Sequence, residues 1–126
     1  MVAGDYLVAV VPEPGQVAAL RPNFSALEAL APEIRGAIVT APAGPDRPGV
    51  DFVSRFFAPA KGVPEDPVTG SAHTILGPYW AARLGKTQLS AQQLSVRGGQ
   101  LGVRVLGDRV ALSGHAVLTK TMVLHV

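Results

Sequence analysis

Short apolar runs, each stopped by proline or glycine, predict several β-strands in this chain. Residues 5–11 form the first run, which ends at Pro12, as expected for a buried strand. Residues 37–41 form a second run, and a loop with three prolines and two glycines follows at 42–49. Residues 50–57 alternate at first and then become doubly apolar, which indicates a strand that is buried on both faces at one end.

Helical segments separate and follow these strands. Residues 14–20 and 25–30 predict two short helices. In the second helix, Ser25 is the expected N-cap, and Glu28 stands at the capping-box position. Residues 74–84 form a longer apolar run, which predicts a helix that is only weakly amphipathic because strands enclose it.

From residue 89 onward the chain has the pattern of short strands and tight turns. Strand segments are expected at 94–96, 101–105, 110–112 and within 115–126. Gly98-Gly99 separates the first two segments, and Gly107-Asp108 closes a hairpin between the next two. Strands on both sides of one apolar helix predict an α+β fold. We expect a single domain of residues 1–126, in which a curved, mostly antiparallel, barrel-like β-sheet surrounds a central α-helix.

The composition favours a well-packed globular protein. Of the 126 residues, 48% are hydrophobic and 16% are charged, values that are typical of a buried core and not of disorder. No apolar stretch reaches membrane-spanning length, and no secretion signal is evident at the N-terminus. The chain has no cysteine, which excludes disulfides and thiolate chemistry. We expect a cytoplasmic protein that contacts no membrane.

The charge distribution argues against nucleic-acid binding. The net charge is +2, and the densest basic residues, Arg97, Arg104 and Arg109, fall among the predicted strands. Solvated strand faces explain them better than a nucleic-acid surface, because no aromatic-plus-basic pattern accompanies them. Arg55 is expected to pair with Asp51 or another carboxylate. The three histidines lack metal-ligand spacing, so no metal site is expected.

The segment Glu65-Asp66-Pro67-Val68-Thr69-Gly70-Ser71-Ala72-His73 carries the strongest signal for a ligand site. A hydroxyl-rich, glycine-permissive turn that leads into a buried helix presents free backbone N–H groups and the positive end of the helix dipole at one point. Such a point suits a carboxylate or a phosphate. We expect Thr69, Gly70 and Ser71 to form an anion cradle. Asp66 stands at its mouth, where its carboxyl group could orient a bound anion or exchange a proton with it.

Each of these residues also has a plainer interpretation. Asp66 and Thr69 could only organise the turn and cap the helix. His73, in the first turns of the helix, could satisfy a buried hydrogen bond rather than contact a substrate. Arg97-Gly98-Gly99 is more typical of a strand turn than of an anion site, because glycine supplies the positive φ that such turns need.

Four motifs, in this order, resemble the carboxyl half of the PhzF-like isomerases of phenazine biosynthesis, which are relatives of diaminopimelate epimerase. They are Asp51-Phe52-Val53-Ser54-Arg55-Phe56-Phe57-Ala58-Pro59, the turn at 65–73, Pro78-Tyr79-Trp80 and Arg97-Gly98-Gly99. Residues 6–40 also resemble the start of that half, through Ala19-Leu20-Arg21-Pro22 and Gly36-Ala37-Ile38-Val39-Thr40. The likeness therefore covers nearly the whole chain.

The resemblance implies a diaminopimelate epimerase-like fold and a cofactor-independent isomerase that shifts protons on small carboxylic acids. In that family, two pseudo-symmetric domains enclose the active site, and the principal acid–base is a glutamate of the amino-terminal half. The residues that match Asp66, Gly70 and Ser71 face this glutamate across the cleft. The candidate site residues are thus Asp66 for catalysis, and Asp66, Thr69, Gly70, Ser71 and His73 for substrate binding.

The sequence departs from the family pattern in two respects. No segment matches the Asn-x-Ser-Glu-Thr glutamate motif or the Gly-Asn-Pro turn of the first half. Thr74 stands where many relatives have cysteine, which excludes a thiol-dependent racemase mechanism. Glu65 follows the family pattern and is no evident substitute for the glutamate. Because proton transfer needs a base within hydrogen-bond reach, we expect turnover to require an amino-terminal half from another chain.

Two alternatives belong to other functional classes. The chain could be a non-catalytic small-anion-binding or self-associating module, in which two copies form a homodimer through the surface that meets the other half. It could also be a truncated gene product without a function of its own.

Overall fold

The computed structural model describes residues 1–30 and 32–125, and strands and helices alternate along it. Its strands are β1 Val2–Ala3, β2 Tyr6–Val10, β3 Gly36–Pro42, β4 Phe52–Phe57, β5 Gln88–Gln93, β6 Gly99–Leu106 and β7 Arg109–Ser113. Its α-helices are α1 Pro14–Ala19, α2 Phe24–Glu28 and α3 Gly70–Leu84, and a 3-10 turn covers Pro59–Lys61. None of the helices in these residues combines the length and apolar character that crossing a membrane requires. The predicted α+β class is confirmed.

The strands form one sheet in the order β1-β2-β3-β4-β5-β6-β7. Neighbouring strands are antiparallel except in the pairs β2–β3 and β4–β5, which run parallel. A parallel pair needs a crossover connection. Helices α1 and α2 connect β2 to β3, and α3 connects β4 to β5. The sheet is mostly antiparallel and curls into half of a barrel, as predicted.

Helix α3 packs against the sheet and forms the main core. Its buried residues are Ala72, His73, Leu76, Gly77 and Trp80. They recur at helical spacing, so they lie on one face of the helix. Trp80 stacks on Phe52 of β4 with ring centroids 5.8 Å apart, and its indole N–H donates to the Thr40 hydroxyl at 3.0 Å. The expected central helix is confirmed.

A smaller apolar cluster covers the other face of β4. Val17 of α1 and Ala41 of β3 pack there with Val53, whereas Phe52 and Phe56 of the same strand belong to the main core. Because successive side chains of a strand alternate between its faces, β4 is buried on both sides. At its doubly apolar end, Phe56 and Phe57 are both buried, as predicted for that end.

Two local predictions are wrong, and in both places a side-chain oxygen accepts a hydrogen bond from a backbone N–H group and sets the local backbone geometry. The N-cap of α2 is Asn23, whose side chain accepts from the Ala26 N–H at 3.1 Å; Ser25 therefore lies inside the helix. Residues 94–98 form an irregular turn instead of a strand at 94–96. The Ser95 hydroxyl accepts from the Gly98 N–H at 2.9 Å, and Gly98 has a φ of 70°, so the chain reverses direction there.

The strand or strands expected within 115–126 are a third wrong prediction. Residues 114–125 have no regular secondary structure, and Val126 lies outside the described residues. A strand needs a hydrogen-bonded neighbour, and β7 is the last strand of the sheet order. This segment, which we call the tail, exposes large apolar side chains. They are Val117, Leu118, Met122, Val123 and Leu124, at 69–84% exposure.

Gly77 is where α3 lies tightly against β6. A Cβ atom added here would lie 2.7 Å from Val103 Cγ1, closer than packed side chains tolerate. We therefore expect Gly77→Ala to lower the free energy of unfolding by about 1–3 kcal/mol, although alanine favours a helical backbone by about 1 kcal/mol. Urea unfolding measures this change. Gly15→Ala in α1, where nothing lies within 4 Å of the added atom, is the matched control; equal losses in both variants would contradict the close packing.

Candidate functional site

The loop before α3 is fastened to β4 and brings Asp66 to the start of the helix. Arg55 of β4 pairs with Glu65 through two hydrogen bonds, Nε to Oε1 at 2.7 Å and Nη2 to Oε2 at 2.9 Å. This bidentate geometry fixes both side chains. The Asp66 N–H also donates to the Phe56 carbonyl oxygen at 3.0 Å. The expected pairing of Arg55 with a carboxylate is confirmed, with Glu65 as its partner.

Both oxygens of the Glu65 carboxylate accept hydrogen bonds in this ion pair. The hydrogen bonds that Arg55 donates to Glu65 raise the pKa of the Arg55 guanidinium, burial opposes this shift, and the negative charge of Glu65 adds to it. Arg55 Nη1 also donates to the Leu20 carbonyl oxygen at 2.8 Å and to that of Val17 at 3.2 Å. Glu65 is therefore held as a structural partner that joins the loop to the end of α1, rather than presented as a free base.

Gln93 of β5 is fully buried and connects the two ends of this loop. Its Oε1 accepts from the Thr69 N–H at 2.8 Å. Its Nε2 donates to the Asp66 carbonyl oxygen at 2.7 Å and to Thr69 Oγ1 at 3.0 Å. The Thr69 hydroxyl in turn donates to Asp66 Oδ2 at 2.5 Å. One side chain from the sheet thus fixes both Asp66 and Thr69 at the start of α3.

The first amides of α3 have no side-chain cap. Thr69 occupies the N-cap position with an extended backbone, yet its side chain makes no capping hydrogen bond because its hydroxyl points to Asp66. Gly70 and Ser71 are exposed, and the Tyr6 hydroxyl of β2 lies 3.0 Å from Ser71 Oγ. The interpretation in which Thr69 caps the helix is wrong for its side chain. Backbone N–H groups therefore remain available at the positive end of the helix dipole.

The turn at 94–98 is joined to the loop that carries Asp66. The Ser95 hydroxyl donates to the Pro67 carbonyl oxygen at 2.8 Å and, as described above, accepts from Gly98. Gly99 contacts Val68 so closely that an added Cβ atom would collide with the valine side chain. Arg97-Gly98-Gly99 therefore forms a turn, as its glycines predicted, and this turn lies directly beside the candidate site.

An open cleft of about 870 Å³ lies between these two loops and β7. Among the residues that line it are Asp66, Gly70, Arg97, Leu112 and His115. Arg97 and His115 are both exposed, and the Arg97 guanidinium brings a positive charge to the lining of the cleft. Across the described residues, no group of three or more His, Asp or Glu side chains is arranged to hold a metal ion.

His73 lies behind the first turn of α3 and is 0% exposed. Its Nδ1 lies 2.7 Å from the Thr69 carbonyl oxygen, so the neutral ring carries its proton on Nδ1. Its Nε2 has no partner in the described part of the chain, and its ring packs beside Phe52. Burial lowers the pKa of His73, and the hydrogen bond to Thr69 opposes this shift. The structure thus brings Asp66, Gly70 and Ser71 together at the accessible start of the helix, with Thr69 buried beside them. It places His73 on the core side.

Sequence reasoning missed Gln93 and Tyr6. In β5, the buried positions are Leu89, Ala91 and Gln93, so the alternation directs a polar side chain into the core. A buried polar group must find hydrogen-bond partners. A glutamine at a buried position of the strand pattern was therefore the sequence signal for a residue that bonds to a neighbouring segment. Tyr6 opens β2 and gave no signal, because tyrosine is common in strands.

Comparisons with known proteins agree with the fold and with the motifs. The family profile described as phenazine biosynthesis-like protein, PhzC-PhzF, matches residues 2–122. The chain is 56% identical over 114 residues to an uncharacterized isomerase of Pseudomonas aeruginosa, and this match covers 90% of the chain and 41% of that protein. It is similar to the crystal structure of a phenazine biosynthesis PhzC/PhzF protein from Clostridium difficile, with a TM-score of 0.83 and 38% identity over 98% of this chain and 46% of that one. A PhzF-family protein from Enterococcus faecalis gives a TM-score of 0.75 and 44% identity over 88% of this chain and 44% of that one. The chain therefore spans less than half the length of each of these proteins.

The burial of His73 predicts a pH dependence of stability. The folded state holds His73 neutral, whereas the unfolded chain gains a proton near pH 6.5. Because the unfolded state binds more protons in acid, stability must fall as the pH decreases through 6.5. Between pH 7.5 and 5.5 this group should lower the free energy of unfolding, measured in urea, by no more than about 1.4 kcal/mol per pH unit. His73→Gln should abolish this loss, while His115→Gln, at an exposed position, should keep it; an unchanged loss in His73→Gln would contradict the assignment.

Proposed function

The chain belongs to the family of phenazine biosynthesis-like proteins, PhzC-PhzF, and on that premise we propose that it forms part of a cofactor-independent isomerase that transfers a proton on a small carboxylic acid. The isomerase name of a relative with 56% identity supports the reaction class. The type of substrate follows from the charge and the donors at the start of α3. One wall of the active site is formed by this chain, and the other wall by a further part of the family fold.

The uncapped start of α3 is the observation that carries this proposal. A carboxylate bound there would accept hydrogen bonds from the Gly70 and Ser71 N–H groups, and the helix dipole would lower its energy. The Ser71 hydroxyl, beside that of Tyr6, would add a further polar contact. These donors are in place before the ligand arrives, so binding costs little ordering of the protein.

Asp66 is proposed to orient the substrate and to relay a proton. Its Oδ2 accepts from the Thr69 hydroxyl, and Asp66 is among the residues that line the cleft. Its Oδ1 is proposed to contact the substrate. His73 is proposed to support the site from the core side, through its hydrogen bond to the Thr69 carbonyl oxygen. Because Arg55 engages Glu65, the principal acid–base group is proposed to be a glutamate from the amino-terminal half of the family fold.

The partner proposal follows from length and chemistry together. The matched segment is 41–46% of the length of the relatives described above. Moving a proton between two atoms of a substrate requires a principal acid–base group within hydrogen-bond reach of both atoms, and in this chain Glu65 is engaged by Arg55. We therefore propose that an amino-terminal half, or a second copy of this chain, closes the cleft over the substrate. The identity of the small acid would depend on both walls.

Carboxylate binding can be tested on this chain directly. Acetate should shift the backbone amide NMR signals of Gly70, Ser71 and Ala72 in a saturable manner. Gly70→Pro deletes one donor at a position where proline suits a helix start, and the extended backbone of Thr69 suits the residue before proline. We expect this variant to bind acetate about tenfold more weakly, as for loss of a hydrogen bond to a charged group. Gly70→Ala keeps the N–H and should bind like the parent chain; shifts that are absent from the parent chain would refute the carboxylate site.

Turnover can be tested by incorporation of solvent deuterium into a panel of small carboxylic acids. The chain mixed with the amino-terminal half of a relative should exchange substrate protons, and Asp66→Asn should slow this by about 10²–10⁴, because a general acid–base group is lost. Asp46→Asn, in an exposed loop, is the control. Exchange by the chain alone that disappears in Asp66→Ala would show that one wall is sufficient, and would overturn the two-wall proposal.

A self-associating module is a second candidate, favoured by the exposed apolar tail. Apolar surface of this kind is typical of an interaction site. Two copies that pair through their tails should sediment as a dimer in analytical ultracentrifugation, and the double variant Leu118→Lys, Leu124→Lys should sediment as a monomer. Val96→Lys adds charge at another exposed apolar position and should leave the dimer intact. A soluble monomer of the unsubstituted chain at high concentration would exclude this function.

A further inference from the structure

The buried amide of Gln93 has all of its hydrogen-bonding groups engaged at the start of α3. Its oxygen accepts from the Thr69 N–H, and its nitrogen donates to the Asp66 carbonyl oxygen and to the Thr69 hydroxyl oxygen. A primary amide has two N–H donors, so both are used. Its position is also fixed by the sheet, where Gln93 pairs with Ser54 on β4 and with Gly99 on β6.

The amide of Gln93 decides where the Thr69 hydroxyl points. A hydroxyl has one proton to donate and two lone pairs that accept. Because one lone pair of Thr69 Oγ1 accepts from Gln93, the hydroxyl is drawn toward the loop, and its proton goes to Asp66 Oδ2. Threonine at an N-cap ordinarily turns its oxygen to the N–H of the second or third helical residue, which here are Ser71 and Ala72. This cap is not made.

We propose that Gln93 is a positioning residue: by holding the Thr69 hydroxyl on Asp66, it keeps the first backbone amides of α3 uncapped and therefore open to an anion. The same network fixes Asp66, which lines the cleft, through its carbonyl oxygen and its Oδ2. Only the last step, the use of these amides by a substrate carboxylate, rests on the proposed function. Gln93 touches no substrate and acts through Thr69 and Asp66.

A purely structural role for Gln93 makes a different prediction. If Gln93 only supported the loop, its loss would loosen the start of α3, and the Ser71 and Ala72 amides would exchange with solvent faster. If Gln93 diverts the cap, its loss frees the Thr69 hydroxyl to bond to one of these amides, which then exchanges more slowly. The sign of the change in exchange rate therefore separates the two roles.

Amide hydrogen exchange in three variants tests the inference without any ligand. Gln93→Met keeps the length of the side chain and removes its hydrogen bonds, and should slow exchange at Ser71 or Ala72 about fivefold, since an N-cap contributes about 1 kcal/mol. Adding Thr69→Val removes the freed hydroxyl at nearly constant shape and should restore fast exchange. Gln92→Met, the same change at the preceding residue of β5 and on the other side of the strand, should have no effect. Faster exchange in Gln93→Met, or no restoration by Thr69→Val, would overturn the inference.

Acetate titration of the same variants tests the link to binding. Gln93→Met should weaken acetate binding about fivefold because the anion must displace the new cap, and Gln93→Met with Thr69→Val should bind close to the parent value. If the exchange rates change as expected but acetate binds to none of the proteins, the proposed function is refuted, while the inference that Gln93 keeps the Thr69 hydroxyl away from the helix amides is supported. If acetate binds equally to all of them and the exchange rates are unchanged, the inference about Gln93 is refuted, while the carboxylate site is supported.

If Gln93→Met does not fold, NMR measurements on the unsubstituted chain test whether Gln93 holds the Thr69 hydroxyl on Asp66. Three-bond couplings to the Thr69 methyl carbon report its χ1 rotamer, and contacts of the Gln93 side-chain amide protons report their neighbours. A single Thr69 rotamer with Oγ1 directed to Asp66, and slowly exchanging Gln93 amide protons, would support the inference. Rotamer averaging at Thr69, or Oγ1 directed to the helix amides, would overturn it.

Discussion

One buried amide, that of Gln93, joins the sheet to the start of α3, and the candidate site depends on it. A buried amide with every donor and acceptor paired specifies one geometry, because each alternative leaves a polar group unsatisfied at a cost of about 1–3 kcal/mol. The bonds that order the Asp66 loop are also the bonds that draw the Thr69 hydroxyl away from the helix. The rigidity of the loop and the openness of the helix therefore have the same cause.

The other loop of the cleft is built onto the same framework. Ser95 follows Gln93 by two residues and bonds to the Pro67 carbonyl oxygen, while Gly99 admits the Val68 side chain where any larger residue would collide. Gly77 lets α3 approach β6 closely on the core side. Sheet, helix start and turn thus form one packed unit, which is the arrangement expected when a rigid scaffold positions loops that carry function.

Much of this arrangement could be predicted from the sequence because it is encoded locally. The doubly apolar end of β4, the Gly107-Asp108 hairpin and the turn at 65–73 are each defined by neighbouring residues. The alternation in β5 could have marked Gln93 as a buried polar residue, but its partners could not be predicted, since they lie 24 and 27 residues away. The strand predicted in the tail was wrong for a different reason. The apolar residues of the tail are typical of a strand, but a strand also requires a hydrogen-bonded neighbour, and a local sequence pattern does not show whether one exists.

The charges around the cleft explain why one wall is insufficient under the proposed function. Glu65 is ion-paired with Arg55, and His73 is buried on the core side. Among the described residues, Asp66 is thus the one carboxylate that both borders the helix start and lines the cleft. A substrate carboxylate at the helix amides would lie near Asp66, and the like charges would repel unless the Arg97 guanidinium offset them. Under the proposed function, this arrangement would hold the substrate, and Asp66 would be the one group that this wall offers for proton transfer. The principal acid–base group would then approach from the open side of the cleft.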